Sequence, residues 1–279
     1  MSKAYGNLII IGGAEDKKSE CEILKEVIKK TSKREGPLLL IAAATDYPDE
    51  VRDTYWETFE KLHFDNFKFI DIKDRTGAND RDYGKQIEEC GSIFFTGGDQ
   101  LKITSLIGGT KVYESLRRAY DDGVLIVGTS AGASCICSTM IVSGKEEDSP
   151  KKCTIKMAPG LDLIQNVIID QHFAQRGRIG RLFNAVAQNP ESLGIGIDEN
   201  TAVVMESTSI IRVIGEGAVT IADGKGITCS NISELNPDET LAITDIRVHI
   251  LPRGYKYDIE YRVPKLAKSD KEDTDENNR

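Results

Sequence analysis

Val124-Leu125-Ile126-Val127-Gly128-Thr129-Ser130-Ala131-Gly132-Ala133 is an apolar run that stops at a serine flanked by glycines, with small residues following. This is the pattern of a nucleophile elbow. A strand turns sharply into a helix there, which exposes the serine hydroxyl and leaves the next backbone N–H free to receive an oxyanion. Gly-x-Ser-x-Gly also fits an ordinary turn after a buried strand, so the reading depends on whether a base and an acid accompany the serine.

A serine hydroxyl needs a base, and the chain offers His63, His172 and His249. His63 ends an amphipathic segment and His249 lies in a β segment near the C-terminus. His172 follows the apolar run Val167-Ile168-Ile169 within Asp170-Gln171-His172-Phe173, a polar cluster at the end of a buried strand. Pockets form at such strand ends, so the residues favour His172. The carboxylate that would fix its tautomer is one of Asp170, Asp198 and Glu199. Glu199 sits at a junction of two strand segments, Gly196-Ile197-Asp198-Glu199-Asn200-Thr201, where strict alternation would place it on the face of Ile197 and Asp198 on the other. An order of Ser, His, acid along the chain differs from those of the α/β-hydrolases, chymotrypsin and subtilisin.

Beside the histidine runs Gln175-Arg176-Gly177-Arg178-Ile179-Gly180-Arg181-Leu182. Arg178 and Arg181 are spaced to share a helix face, and guanidinium forks match carboxylates bidentately. Arginines at a helix N-terminus oppose its macrodipole, a cost that an anionic ligand would reverse. The alternative is arginines paired with nearby acids.

The elements that would position these groups fall into two halves. Through about residue 140, apolar runs at Asn7–Ile11, Pro37–Ala44, Phe67–Ile72, Ser92–Phe95 and Val124–Val127 alternate with helical spacing at Glu20–Lys30, Asp49–Phe64, Asp80–Cys90 and Val112–Asp121. Continuous apolar strands between amphipathic helices predict an α/β fold with a mostly parallel central sheet flanked by helices. Gly12-Gly13, Gly97-Gly98-Asp99-Gln100 and Gly128-Thr129-Ser130 stand at strand ends, where open sheets bind ligands. A dinucleotide site does not fit Gly12-Gly13-Ala14-Glu15-Asp16, which lacks the G-x-G-x-x-G spacing and sets two acids where a pyrophosphate would lie.

In the second half, Val167–Asp170, Gly194–Ile197, Thr201–Met205, Ile210–Ile214, Val219–Ala222 and Ile246–Leu251 read as strands, with one helix near Arg178–Gln188. Turns rich in Gly, Ser and Asp suit hairpins, so an antiparallel β extension on the first half is expected. Residues 1–264 read as a single catalytic domain, and the polar stretch 265–279 as a disordered tail.

Composition narrows the function classes. The chain has 279 residues, a net charge of −9 and a pI near 5.1, which disfavours nonspecific binding to nucleic acid or an anionic membrane. No run approaches the roughly 18 apolar residues of a spanning helix, and the N-terminus shows no signal-peptide core, so a cytoplasmic protein is expected. The six cysteines form no C-x-x-C pair, so neither zinc ligation nor a disulfide framework is expected. Cys135 and Cys137 fall on the expected buried helix after Ser130, an environment unsuited to a reactive thiolate.

Taken together, Gly97-Gly98-Asp99-Gln100, Gly128-Thr129-Ser130-Ala131-Gly132-Ala133, Asp170-Gln171-His172-Phe173, Arg176-x-Arg178-x-x-Arg181-Leu182 and Gly196-Ile197-Asp198-Glu199-Asn200-Thr201 resemble the motifs of the cyanophycinase family. Those serine peptidases share a family with α-aspartyl dipeptidase. The resemblance spans about residues 5–260 and implies a class I glutamine amidotransferase-like fold and a homodimer. It also implies exo-acting hydrolysis of cyanophycin, a poly-aspartate bearing arginine on its β-carboxyls, to β-aspartyl-arginine dipeptides. Carried onto this chain, it makes Ser130 the nucleophile, His172 the base and Glu199 its orienting acid, with Gln100, Asp170, Gln171, Arg176, Arg178 and Arg181 gripping the polymer. The N–H groups of Gly98 and Ala131 are the candidate oxyanion donors, and no metal or organic cofactor is called for. The charged insert 144–152 is less family-like. An α-aspartyl dipeptidase and a catalytically silent binder of acidic peptides are the alternative functions.

Overall fold

The computed structural model describes residues 7–43, 45–146, 149–206 and 209–265. Its first five apolar runs form β1 (Leu8–Ile11), β2 (Leu38–Ala42), β3 (Phe67–Asp71), β4 (Ser92–Phe95) and β5 (Leu125–Thr129), which pair in parallel in the order β1-β5-β4-β2-β3. Every residue of β1, β2, β4 and β5 is buried, while β3 at the edge is only partly covered. Alternation divides the strands between two cores. Leu8, Ile10, Leu39 and Ile41 enter one, and Ile9, Ile11, Leu38 and Leu40 enter the other.

Helices α1 (Glu22–Thr31) and α2 (Pro48–Lys61) cover the second core through Leu24, Val27, Tyr55 and Phe59. Helices α3 (Arg81–Glu88), α4 (Gln100–Ile107), α5 (Lys111–Asp121) and α6 (Ala131–Cys135) cover the first. Helix α4 was not foreseen from periodicity. Its start is chemically marked, because the Asp99 carboxylate accepts hydrogen bonds from the Leu101 and Lys102 N–H groups at 2.7 and 3.2 Å.

The second half adds β6 (Thr139–Gly144) and β7 (Ile155–Pro159), β8 (Val167–Gln171), α7 (Ile179–Gln188), β9 (Leu193–Ile197), β10 (Thr201–Met205), β11 (Ile210–Gly215), β12 (Ala218–Asp223), β13 (Arg247–Pro252), β14 (Lys256–Asp258) and β15 (Val263–Lys265). Strands β10, β11, β14 and β15 extend the central sheet antiparallel beyond β1, giving nine strands. This is the expected antiparallel extension. Four more strands form a separate sheet, β13-β12-β9-β8, in which β8 and β9 run parallel because α7 carries the chain between them. That connection is a crossover, where the turn-rich composition pointed to hairpins. Strands β6 and β7 pair only with each other across a register shift between Ile141 and Ser143.

This topology assembles one rim. The C-terminal ends of β1, β5 and β4 are neighbours, so the three glycine-bearing strand ends converge. Strand β10 runs against β1 with Ile11 opposite Ala202, which delivers residues just before β10 to the same rim. Among the described residues no helix is long and apolar enough to cross a membrane. The expectation of a disordered tail, Lys265 apart, concerns residues 266–279, which lie outside the described residues, as do Glu147 and Asp148 of the charged insert.

Candidate active site

Ser130 is the hinge between β5 and α6, with φ 54° and ψ −114°, a conformation disfavoured for any residue with a Cβ. Backbone strain of this kind costs about 1–3 kcal/mol and persists where surrounding structure enforces it. The enforcement is visible here. The Ser130 N–H donates to the Ile11 carbonyl at 3.1 Å, and a Cβ on Gly132 would sit 2.3 Å from the Phe95 carbonyl oxygen, so α6 lies directly against β4.

A histidine stands within hydrogen-bonding reach of the serine. Ser130 Oγ lies 3.0 Å from His172 Nε2, and His172 Nδ1 lies 2.6 Å from Glu199 Oε1. The carboxylate places the imidazole proton on Nδ1, which leaves Nε2 free to accept from the serine hydroxyl. Three consecutive carbonyls at the end of β1 tie these segments together. Ile11 holds Ser130 N, Gly12 holds His172 N at 2.8 Å, and Gly13 holds Asn200 N at 2.9 Å. Gly13 has φ 99°, and a Cβ there would meet the His172 ring at 2.4 Å. Ala14, His172 and Asn200 also adopt positive φ, so left-handed backbone clusters around the serine.

The three acids left open by the sequence take different places. Glu199 alone reaches the histidine, and its own N–H is held by the Gln175 side chain at 2.9 Å. Asp198 is a backbone clamp, accepting from Ala174 N and Ala218 N, each at 3.0 Å. Both residues lie beyond the end of β9, so strict strand alternation does not govern them. Asp170 is buried against arginines.

Burial lowers the pKa of His172, and the Arg176 charge adds to that, while the Glu199 hydrogen bond and charge oppose it without overcoming it. If His172 is the base, only its neutral form is active, and kcat/KM falls as pH drops through its pKa. The acidic limb is therefore expected below the ordinary value of about 6.5. A pH–rate profile with its acidic limb above that value would contradict this environment.

The Gly98 and Ala131 N–H groups have no acceptor among the described residues, and Ala131 opens α6, where a helix leaves its first N–H groups free. Gly98 lines the cavity that holds Ser130, and Ala131 is the residue that follows the serine at the start of α6. Cys135 and Cys137 are fully buried, and burial pushes the Cys137 thiol up to about 12, so it stays protonated near neutrality.

The six residues assigned to polymer binding by resemblance are tied mostly to the protein itself. Gln100 Nε2 donates to the Ile141 and Val142 carbonyls of β6, each at 2.8 Å. Asp170 is 1% exposed and receives a two-pronged contact from Arg181, with Arg181 Nε 2.7 Å from Asp170 Oδ2. Arg178 is buried too, 2.5 Å from Glu146 and bonded to the backbone and side-chain oxygens of Gln171. Arg176 alone keeps an exposed head, 3.7 Å from Glu146. The paired-acid alternative thus describes Arg178 and Arg181, and none of these six side chains lines the cavity that holds Ser130 and His172.

The strand-end residues Gly97, Gly98, Thr129, Ser130 and His172 do line it, as expected, but sequence reasoning missed Glu15, Lys17 and Tyr55 beside them. Glu15 is buried, with Thr129 Oγ1 donating to it at 2.6 Å, Lys17 Nζ at 2.6 Å and the Tyr55 hydroxyl completing the set. Burial raises its pKa, but the Lys17 charge and these hydrogen bonds outweigh that and hold the carboxyl below its usual range. The signal in the sequence was an acid directly after the glycines of β1. Asp16, the next residue, caps the following turn by accepting from Lys18, Ser19 and Cys21 N–H groups, which lower its pKa to about 2. Among the described residues, no group of three or more His, Cys, Asp or Glu side chains converges to hold a metal ion.

With this geometry in hand, known proteins give a consistent picture. Residues 8–213 match peptidase family S51. The chain is 38% identical over 259 residues to the cyanophycinase of Geminocystis herdmanii (strain PCC 6308), an alignment covering 92% of this chain and 95% of that one. It is 36% identical over 256 residues to the cyanophycinase of Trichormus variabilis (strain ATCC 29413 / PCC 7937), covering 91% and 86%. A crystal structure of a peptidase from an acI-B1 actinobacterium superposes with a TM-score of 0.64 at 19% identity, over 89% of this chain and 99% of that one, and shares the fold.

Proposed function

The chain belongs to peptidase family S51 and is a serine peptidase, and we propose that its substrate is cyanophycin, cleaved exolytically to β-aspartyl-arginine dipeptides. The observation that carries the reading is the 38% identity to a cyanophycinase over nearly the whole chain. The hydrogen-bonded series Ser130, His172, Glu199 supports the chemistry.

In this mechanism Ser130 Oγ attacks the carbonyl carbon of a backbone aspartyl amide while His172 Nε2 takes its proton. Glu199 holds the imidazole in the Nδ1–H form and stabilises the imidazolium that results. The developing oxyanion is received by the Gly98 and Ala131 N–H groups, a donor of this kind being worth about 3 kcal/mol. His172 then gives its proton to the leaving amine, and a water activated by the same imidazole hydrolyses the acyl-enzyme.

Incubation of the purified protein with insoluble cyanophycin, with products identified by mass spectrometry, tests the substrate. Release of β-aspartyl-arginine is expected. Intact polymer alongside cleaved α-aspartyl dipeptides would make the protein a dipeptidase. Cleavage of neither, with no labelling of Ser130 by a fluorophosphonate, would leave a silent binder.

A further inference from the structure

The cavity beside Ser130 and His172 measures about 530 Å³ and is walled on one side by the start of α2, including Tyr47 and Glu50. Its size falls within the range of small-ligand sites. Three charged side chains line it, and two cancel, since Lys17 Nζ lies 2.6 Å from buried Glu15. Glu50 is left over. Its exposed carboxylate has no ion-pair or hydrogen-bond partner among the described residues, whereas its neighbours Asp49 and Asp53 are both engaged by Arg52, at 2.7 and 2.9 Å. One helical turn away, Tyr47, a residue 66% exposed, stands at the cavity wall.

An unneutralised carboxylate and an exposed tyrosine, spaced three residues apart, suit a cation that is also planar. A guanidinium satisfies both, pairing bidentately with the carboxylate and stacking on the ring. The acids Glu146 and Asp170 are already neutralised by Arg178 and Arg181, so a carboxylate for the basic side chains of the polymer has to come from elsewhere. We propose that this cavity is a guanidinium subsite in which Glu50 and Tyr47 receive an arginine side chain of the substrate. The proposal deepens the cyanophycin reading and rests on it.

The test compares short β-aspartyl-arginine oligomers with the same oligomers carrying citrulline, a neutral isostere of arginine, using wild type, Glu50→Gln and Tyr47→Ala. Hydrogen bonds to charged groups are worth about 1.5–3 kcal/mol, so wild type is expected to favour arginine by about tenfold or more in kcat/KM. Glu50→Gln should remove most of that preference and Tyr47→Ala part of it. Glu50 also lies in the first turn of α2, where a carboxylate favours the helix dipole. A role confined to that would lower the melting temperature and leave the arginine-to-citrulline ratio unchanged. An unchanged ratio in Glu50→Gln would overturn the subsite while leaving the substrate assignment standing. A wild-type enzyme that cleaves neither oligomer would overturn the substrate assignment, and the subsite with it.

Discussion

Replacement of Ser130 by alanine is expected to lower kcat on cyanophycin by roughly 10⁴- to 10⁶-fold, with an unchanged circular dichroism spectrum and a melting temperature no lower than that of wild type. The size follows from the geometry. Ser130 Oγ is the only hydroxyl hydrogen-bonded to His172 among the described residues, so its loss removes the nucleophile rather than one of several contacts. The fold should survive because the strained Ser130 backbone is held by main-chain bonds to Ile11, Ala133 and Ser134, none of which uses the hydroxyl. Retained turnover in the purified variant would reject Ser130 as nucleophile.

Asp170→Asn is expected to have the opposite profile, a loss of stability of about 3–5 kcal/mol in urea unfolding. Asp170 is 1% exposed and compensates Arg181 in direct two-pronged contact, with Arg178 3.7 Å away. Neutralising it strands buried guanidinium charge. Replacing Asp170 and Arg181 together by leucine and methionine should recover most of the loss, because a buried pair is nearly balanced against an apolar one of similar volume. If these residues serve the polymer instead, the single variant will keep its stability and show a raised KM. The two outcomes separate cleanly because none of this network lines the cavity beside Ser130.

The candidate site was only partly legible in the chain. The elbow was readable because its requirements are local: small residues on either side of Ser130 and a buried strand before it. His172 was readable from its place after a fully buried strand. The arginines were read as a ligand grip because charge at a helix start is locally unfavourable, yet the acids that neutralise them, Asp170 of β8 at 11 positions from Arg181 and Glu146 at 32 from Arg178, are matched to them only by the fold. Glu15 went unrecognised for the same reason. Its partners Tyr55 and Thr129 are 40 and 114 positions away. Strands β14 and β15, three residues each, carry too few apolar positions to announce themselves.

By itself, then, the sequence determined the chemistry on offer and the elements that carry it. Strand burial, helix faces and the strained serine turn all arise within windows of a few residues, where periodicity and glycine placement act directly. Tertiary structure decided which groups meet. Ser130 and His172 are 42 residues apart, and His172 and Glu199 are 27 apart. They come into hydrogen-bonding range only because β10 lies antiparallel beside β1 and the successive carbonyls of Ile11, Gly12 and Gly13 at the end of β1 bind the segments that carry them. Strand order and register are set by the summed packing of whole sheets, and a short window of sequence does not contain that sum.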